Sequence, residues 1–267
     1  MLLDGKKIVV TGAAGLLGSH FVREISKRDG TPIALDVDSS LLDDLRENLD
    51  RGSRRKVIFA KLDVTSQEDV SDFFASFSST AYPDALVNNA AANPSVENAD
   101  KATVSLAMSL ADWEEKLRVG LWGSFLVSRE FIASRSNSDR PIKIVNIGSD
   151  FGHIAPTPEH YADLRDGDGF DFEKPAWYTV MKHGLHGLTR HLASQYGGSN
   201  VTVNTLSPGG VRNSQPNKFI ETVSSAVPMG RMAEAHEIAS SLCFLLSDDA
   251  SYVNGLELVV DGGRSIR

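Results

Sequence analysis

Residues 11–18 read Thr11-Gly12-Ala13-Ala14-Gly15-Leu16-Leu17-Gly18, and what flanks them decides the fold. Ahead of them, Ile8, Val9 and Val10 form a short apolar run. Behind them, Leu17, Phe21 and Ile25 recur every four residues, which gives one apolar helix face. In a strand–turn–helix unit, glycine permits the tight turn, lets the backbone approach a pyrophosphate and lets the helix pack on the strand. The helix N-terminus adds free N–H groups and a dipole that favours an anion. A glycine pattern alone is weak evidence, but in this setting it predicts dinucleotide binding by Gly12, Ala14, Gly15, Leu16, Leu17 and Gly18.

The same alternation continues outward. Ile33–Val37, Val57–Leu62, Ala85–Val87, Ile142–Ile147, Val201–Leu206 and Leu256–Val260 read as six further strands. Several are nearly unbroken apolar runs, as strands buried on both faces require. Helical spacing fills the gaps at Leu16–Lys27, Ser40–Leu49, Gln67–Ser76, Asp112–Ser134, Ala176–Tyr196 and Glu234–Leu246. The expectation is an α/β fold of Rossmann type: one doubly wound domain over residues 1–267, with seven parallel strands flanked by helices. Two stretches break the rhythm. Asn93–Leu110 is long and polar, and Asp150–Pro175 is longer still, an insert expected to lie over the functional site.

Composition narrows the partners. With 41% hydrophobic and 23% charged residues among 267, the chain is globular in character. Its 27 basic against 35 acidic residues give a net charge of −8, which disfavours nucleic acid, a ligand bound mainly through cationic contacts to phosphate. The single cysteine, Cys243, excludes an internal disulfide and reads as a buried structural thiol. No run approaches the ~18 apolar residues of a membrane span. The start, Met1-Leu2-Leu3-Asp4-Gly5-Lys6-Lys7, passes straight into a strand without the pattern of a secretory leader, so a cytoplasmic location is expected.

Asp36 closes the second strand. A carboxylate there accepts hydrogen bonds from adenosine ribose hydroxyls and repels a 2′-phosphate, and no arginine occurs between Asp29 and Leu45, so NAD is favoured over NADP. Further along, Tyr178-Thr179-Val180-Met181-Lys182 opens a helical stretch with Tyr178 and Lys182 on one face. A phenol has a reference pKa near 10, and a neighbouring ammonium favours its ionised form. Such a pair suits proton exchange with a carbonyl or alcohol oxygen while a hydride moves at the carbon.

Together these segments resemble the short-chain dehydrogenase/reductase family, in its single-domain branch. The resemblance runs from Lys7 almost to Gly263. It rests on the glycine turn, Leu62-Asp63-Val64, Leu86-Val87-Asn88-Asn89-Ala90-Ala91, Ile144-Val145-Asn146-Ile147-Gly148-Ser149, Tyr178–Lys182, Val203-Asn204-Thr205-Leu206-Ser207-Pro208-Gly209-Gly210-Val211 and Asp261-Gly262-Gly263. It implies that Asp63 and Val64 meet the adenine and that Asn89 and Ala90 line the adenosine side. It further implies that Ser149 steadies the substrate oxygen, that Tyr178 is the acid/base, and that Lys182 holds the nicotinamide ribose and lowers the Tyr178 pKa. Pro208, Gly209 and Val211 would pack at the nicotinamide, and Asn88 would tie strands together. A homotetramer or homodimer is implied as well, built mainly through the Asp112–Ser134 and Ala176–Tyr196 helices and the C-terminal segment.

Three departures from the family stand out. The glycine turn has the spacing of a longer branch of the superfamily. Gly120 occupies the place of a catalytic asparagine whose side chain helps to keep a helix kink. Ser149 and Tyr178 lie 29 residues apart (178 − 149), well beyond the usual spacing. The extra residues sit between two catalytic groups, so Ser149, Asp150, His153, Tyr161 and Trp177 are candidate substrate contacts, with His160 and Arg165 nearby. No metal site is expected, since His153 and His160 lack spaced third and fourth ligands. Ser149-Asp150 with its insert, Gly230-Arg231-Met232 and the ending Asp261-Gly262-Gly263-Arg264-Ser265 are similar to oxidoreductases of flagellin modification and nonulosonic-acid pathways. That implies a sugar, or a sugar-derived carbonyl or alcohol, as the small-molecule substrate. A reductase of a small non-sugar ketone and a non-catalytic NAD-binding regulator are the alternatives.

Overall fold

The computed structural model describes residues 2–78, 81–92, 108–135, 140–157 and 174–267. Its seven strands are β1 (Lys7–Thr11), β2 (Thr31–Asp36), β3 (Ile58–Lys61), β4 (Ala85–Asn88), β5 (Ile142–Ile147), β6 (Val201–Pro208) and β7 (Glu257–Val260). They form one parallel sheet in the order β3-β2-β1-β4-β5-β6-β7. The helices are α1 (Leu16–Lys27), α2 (Ser39–Glu47), α3 (Arg51–Lys56), α4 (Gln67–Ala75), α5 (Leu110–Leu117), α6 (Gly123–Ala133), α7 (Ala176–Tyr196), α8 (Asn217–Ser225) and α9 (Ala235–Leu246).

Alternating side chains feed two cores. Ile8 and Val10 of β1 pack with Phe21, Ile25, Leu242 and Leu246 from α1 and α9. Val9 points to the opposite face and joins Leu126, Phe131 and Leu192 from α6 and α7. Both faces are therefore dry, which is why the strands read as continuous apolar runs. Each such side chain contributes roughly 1.5–3 kcal/mol relative to exposure. Cys243 lies fully buried in the first core, and burial pushes its thiol up to about 12. Among the described residues, no helix is long and apolar enough to cross a membrane.

The structure departs from the expected elements in three places. The helix expected over Asp112–Ser134 is not continuous: α5 and α6 are joined by a π-helical turn, Arg118–Trp122, centred on Gly120. That turn gives an irregular backbone at the position where the family resemblance implies an asparagine. Two short helices were not legible. The polar α3 is set by Asp50, whose carboxylate accepts the N–H groups of Gly52 and Ser53. The other, α8, opens after Pro216 and buries Val223.

The sheet order reverses direction between β1 and β4, with β2 and β3 on one side and β5 to β7 on the other. At such a switch point the loops leaving the two central strands diverge and open a crevice at the strands' carboxyl ends.

Candidate active site

That crevice is a cleft of about 530 Å³, bounded by Gly12, Gly15, Leu16 and Leu17 at one end and by Ser149, Tyr178 and Lys182 at the other. Asp36, Asn89, Ala90, Asp150, Pro208, Gly209 and Val211 also line it.

The first end is built from backbone. Gly12 has φ +60°, and a Cβ there would stand 2.8 Å from the Ala90 Cα. A Cβ on Gly18 would stand 2.1 Å from the Gly12 carbonyl oxygen, whereas one on Gly15 would meet that oxygen only at 3.4 Å. Gly12 and Gly18 thus form a cradle that any larger residue fills, the arrangement a dinucleotide phosphate needs. Asn89 laces the turn to β4: its side-chain amide donates to the carbonyls of Thr11 (3.0 Å) and Gly12 (2.8 Å). The Thr11 hydroxyl accepts the N–H groups of Asn89 (3.0 Å) and Ala90 (3.1 Å). Asp36 accepts the Ala14 N–H at 3.0 Å, which fixes one carboxylate oxygen at the mouth of the turn. Ala14 and Gly18 shape the turn without lining the cleft. Asn88 spans buried groups as expected of a strand tie, donating to Ser128 Oγ (2.9 Å) and Asn146 Oδ1 (2.8 Å).

Asp63 and Val64 are not among the described cleft residues. The Asp63 carboxylate accepts the N–H and the hydroxyl of Thr65, each at 2.8 Å. Val64 packs so close to Gly123 that a Cβ there would lie 2.9 Å from its methyl.

The second end is built from side chains. Pro175 caps α7, and the first two turns carry Tyr178 and Lys182 one turn apart. Ser149 leaves β5 in an extended conformation, and its hydroxyl donates to Asp150 Oδ1 at 3.0 Å. The Lys182 ammonium donates to the Ile147 carbonyl at 2.7 Å and lies 5.6 Å from the Tyr178 ring centre. A second ammonium, that of Lys174, lies 4.1 Å over the same ring. Sequence alone had not singled out Lys174, although it stands four residues before Tyr178.

Electrostatics here differ from the simple phenol–ammonium expectation. Burial pushes the Tyr178 phenol up to about 12; the hydrogen bond with Ser149 opposes the rise and the Asp150 charge adds to it. Burial, reinforced by the charge of Lys174, brings Lys182 down to about 7. Lys174 falls to about 8, again through burial, with Asp150 opposing. Desolvation outweighs the help the phenolate receives from Ser149.

The candidate substrate contacts fare differently. Asp150 is buried with both oxygens engaged, Oδ1 by Ser149 and the Phe151 N–H, Oδ2 by Arg264 Nη1 at 2.6 Å. Trp177 is buried with its ring edge-on to Tyr178 at 5.8 Å, behind the phenol. His153 is not among the residues that line the cleft; its Nδ1 lies 3.6 Å from Glu257 Oε2. Tyr161, like His160, Arg165 and most of the expected insert, lies outside the described residues. Three apolar residues that the sequence reading missed, Phe219, Val223 and Met232, wall the cleft from α8 and the segment after it.

Gly120 is explained by packing. A Cβ there would stand 1.9 Å from Met181 Sδ, next in sequence to Lys182. Its carbonyl accepts the Ser124 hydroxyl at 2.8 Å.

Comparison with known proteins agrees with this architecture. Residues 6–161 match the short chain dehydrogenase family, and residues 166–265 match the family described as enoyl-(acyl carrier protein) reductase. The chain belongs to the short-chain dehydrogenases/reductases, oxidoreductases that act on CH–OH groups with NAD(P). It is 29% identical over 266 residues to post-translational flagellin modification protein A of Campylobacter coli, covering 98% of this chain and 99% of that one. It is 31% identical over 271 residues to galactitol 2-dehydrogenase (L-tagatose-forming) of Cereibacter sphaeroides, covering 99% and 96%. Its fold matches that of a short chain dehydrogenase from Leptospira borgpetersenii, solved with bound NAD+, at a TM-score of 0.81 and 24% identity over 98% and 94% of the two chains.

Proposed function

We propose that this protein is an NAD(H)-dependent oxidoreductase that interconverts a secondary alcohol and a ketone on a sugar-derived or polyol-like molecule. The observation that carries the reading is one cleft with a glycine phosphate cradle and Asp36 at one end and Ser149, Tyr178 and Lys182 at the other. A bound nicotinamide supplies or accepts the hydride; the protein's own groups manage the proton and the oxygen. Tyr178 gives its phenolic proton to the carbonyl oxygen in reduction and takes it back in oxidation. Ser149 steadies that oxygen as charge develops on it, which a preformed donor does without reorganisation. Lys182, anchored to the Ile147 carbonyl, offers a hydrogen-bond donor beside the phenol and for the ribose. Asp36 favours NAD over NADP, because a carboxylate held by the Ala14 N–H opposes a 2′-phosphate.

A polyol-like substrate is supported by the likeness to a protein named galactitol 2-dehydrogenase. The test is a panel of polyols, ketoses and simple ketones assayed with NAD+ and NADH. Turnover is expected on polyhydroxylated compounds, with NADH preferred to NADPH in kcat/KM. Turnover confined to simple ketones would overturn the substrate class, and a preference for NADPH would overturn the role of Asp36.

The oligomeric reading has its own support. An apolar groove of about 660 Å³ runs along α5, α6 and α7, lined by Leu117, Leu121, Trp122, Phe125 and Leu188 between Glu114 and Arg118. Trp122 is 43% exposed there, much for so large an apolar ring. Burying this face against a second copy makes a homodimer or homotetramer. Light scattering after size exclusion is expected to show one, and a monomer at micromolar concentration would refute it.

A further inference from the structure

We propose that Arg264, carried by the last turn of the chain, is a positioning residue of the catalytic centre that acts through Asp150 on the single proton of Ser149. The turn is built to aim this side chain inward. Gly262 (φ +66°) and Gly263 (φ +88°) are both left-handed, and Asp261 takes the N–H groups of Gly263 (2.9 Å) and Ser265 (2.7 Å). Arg264 is thereby buried, with its guanidinium 4.7 Å over the Phe151 ring and Nη1 2.6 Å from Asp150 Oδ2. The two side chains are 6% and 3% exposed, so this is an interior ion pair and not a surface one.

What the pair does follows from the other oxygen. Ser149 has one hydroxyl proton, and Asp150 Oδ1 accepts it at 3.0 Å. A phenolate at Tyr178, or an oxyanion on substrate, competes for that same proton. An uncompensated carboxylate would win the competition and would also oppose ionisation of Tyr178. Arg264 neutralises Asp150 and fixes its plane, which weakens the pull on Ser149 and leaves the hydroxyl available to the reacting oxygen. Among the described residues, the charged and titratable groups around this centre are Asp150 and Arg264, Lys174 and Lys182 over and beside the Tyr178 ring, and His153 and His186 with Glu257 behind the Asp150 turn. Of these, only Asp150 carries negative charge next to Ser149 among the described residues.

This inference rests on Tyr178 and Ser149 being the proton-handling groups. The test compares Arg264→Met, Arg264→Lys, Asp150→Asn and the double variant Asp150→Asn/Arg264→Met by the pH profile of kcat for alcohol oxidation. Arg264→Met is expected to move the rise in rate about one pH unit upward, a loss of about tenfold at neutral pH, with NADH affinity unchanged. Arg264→Lys should recover part of the shift, and the double variant should match Asp150→Asn. A profile for Arg264→Met that overlays wild type overturns the proposal, as does a double variant that differs from Asp150→Asn. That second comparison also decides if the stranded carboxylate leaves Arg264→Met unfolded, because the double variant buries no unpaired charge. If wild-type protein turns over no alcohol or ketone, the reaction reading falls and the positioning is read by crystallography. A Ser149–Asp150 hydrogen bond that shortens in Arg264→Met supports it; a contact unchanged at 3.0 Å refutes it.

Discussion

The two ends of the cleft are made of different materials. At the phosphate end the work is done by backbone: glycines that leave no room for a Cβ, and N–H and carbonyl groups laced by Thr11, Asn89 and Asp36. At the proposed catalytic end it is done by charge: buried Lys182, Asp150 and Arg264, with half-buried Lys174, gathered within and beneath one wall. Backbone sites tolerate almost no change of shape but are indifferent to pH. Buried-charge sites have the opposite sensitivity, because each ionised group is held against a desolvation cost.

The sharpest test of that contrast is Tyr178→Phe. Loss of one hydroxyl should cut kcat by about 10²–10⁴-fold while NADH, titrated by fluorescence, still binds. Loss of binding along with activity would mean that the two ends are not separable. Next is a glycine pair at the other end. Gly18→Ala puts a methyl 2.1 Å from a backbone oxygen that cannot swing aside, so NADH affinity should fall more than tenfold and stability by about 1–3 kcal/mol. Gly15→Ala, with 3.4 Å of clearance, should stay within about 0.5 kcal/mol of wild type in urea unfolding. Equal effects at the two positions would defeat the steric reading.

Asp36→Asn addresses selectivity within the phosphate end. Removing its charge should raise the NADPH/NADH ratio of kcat/KM about tenfold, or ~1.4 kcal/mol, with kcat for NADH little changed.

The smallest expected effect is a slope. The folded protein holds Lys182 down to about 7 and Lys174 down to about 8, so between these values and the ordinary lysine range the unfolded chain binds more protons. Stability of the cofactor-free protein should therefore rise with pH from about 7 toward 10. Above 10 the sign reverses, because Tyr178, raised to about 12, keeps its proton in the folded state longer than in the unfolded one. Lys174→Met should flatten the curve above pH 8, read from melting temperatures across buffers. An unchanged slope would show that these ammonium groups are not desolvated.

Legibility divided along the same line. Residues 8–25 contained the strand, the turn and the helix face in contiguous sequence, and α1 and α7 begin and end where the periodicity put them. Tyr178 and Lys182 were legible for the same reason, being one helical turn apart. The place of the break was marked in sequence by Gly120, but the packing of Met181 against it, which leaves no room for a Cβ, was not. Nor was the short α3, whose start is a local carboxylate cap in a stretch without apolar spacing. His153 and Trp177, nominated by their place in the insert and at the helix start, turn toward Glu257 and the interior respectively.

By itself, the sequence determined the parallel sheet, the glycine turn, the carboxylate at the end of β2 and the phenol–ammonium pair. All of these are encoded within a few residues by periodicity or backbone freedom. Only the tertiary structure decided which charges share the catalytic wall. Asp150 and Arg264 are 114 positions apart, and nothing local announces that the chain's last turn delivers a guanidinium to the carboxylate beside Ser149. Long-range pairing of buried charges is settled by how the sheet brings the ends of β5 and β7 together, and no local pattern encodes it.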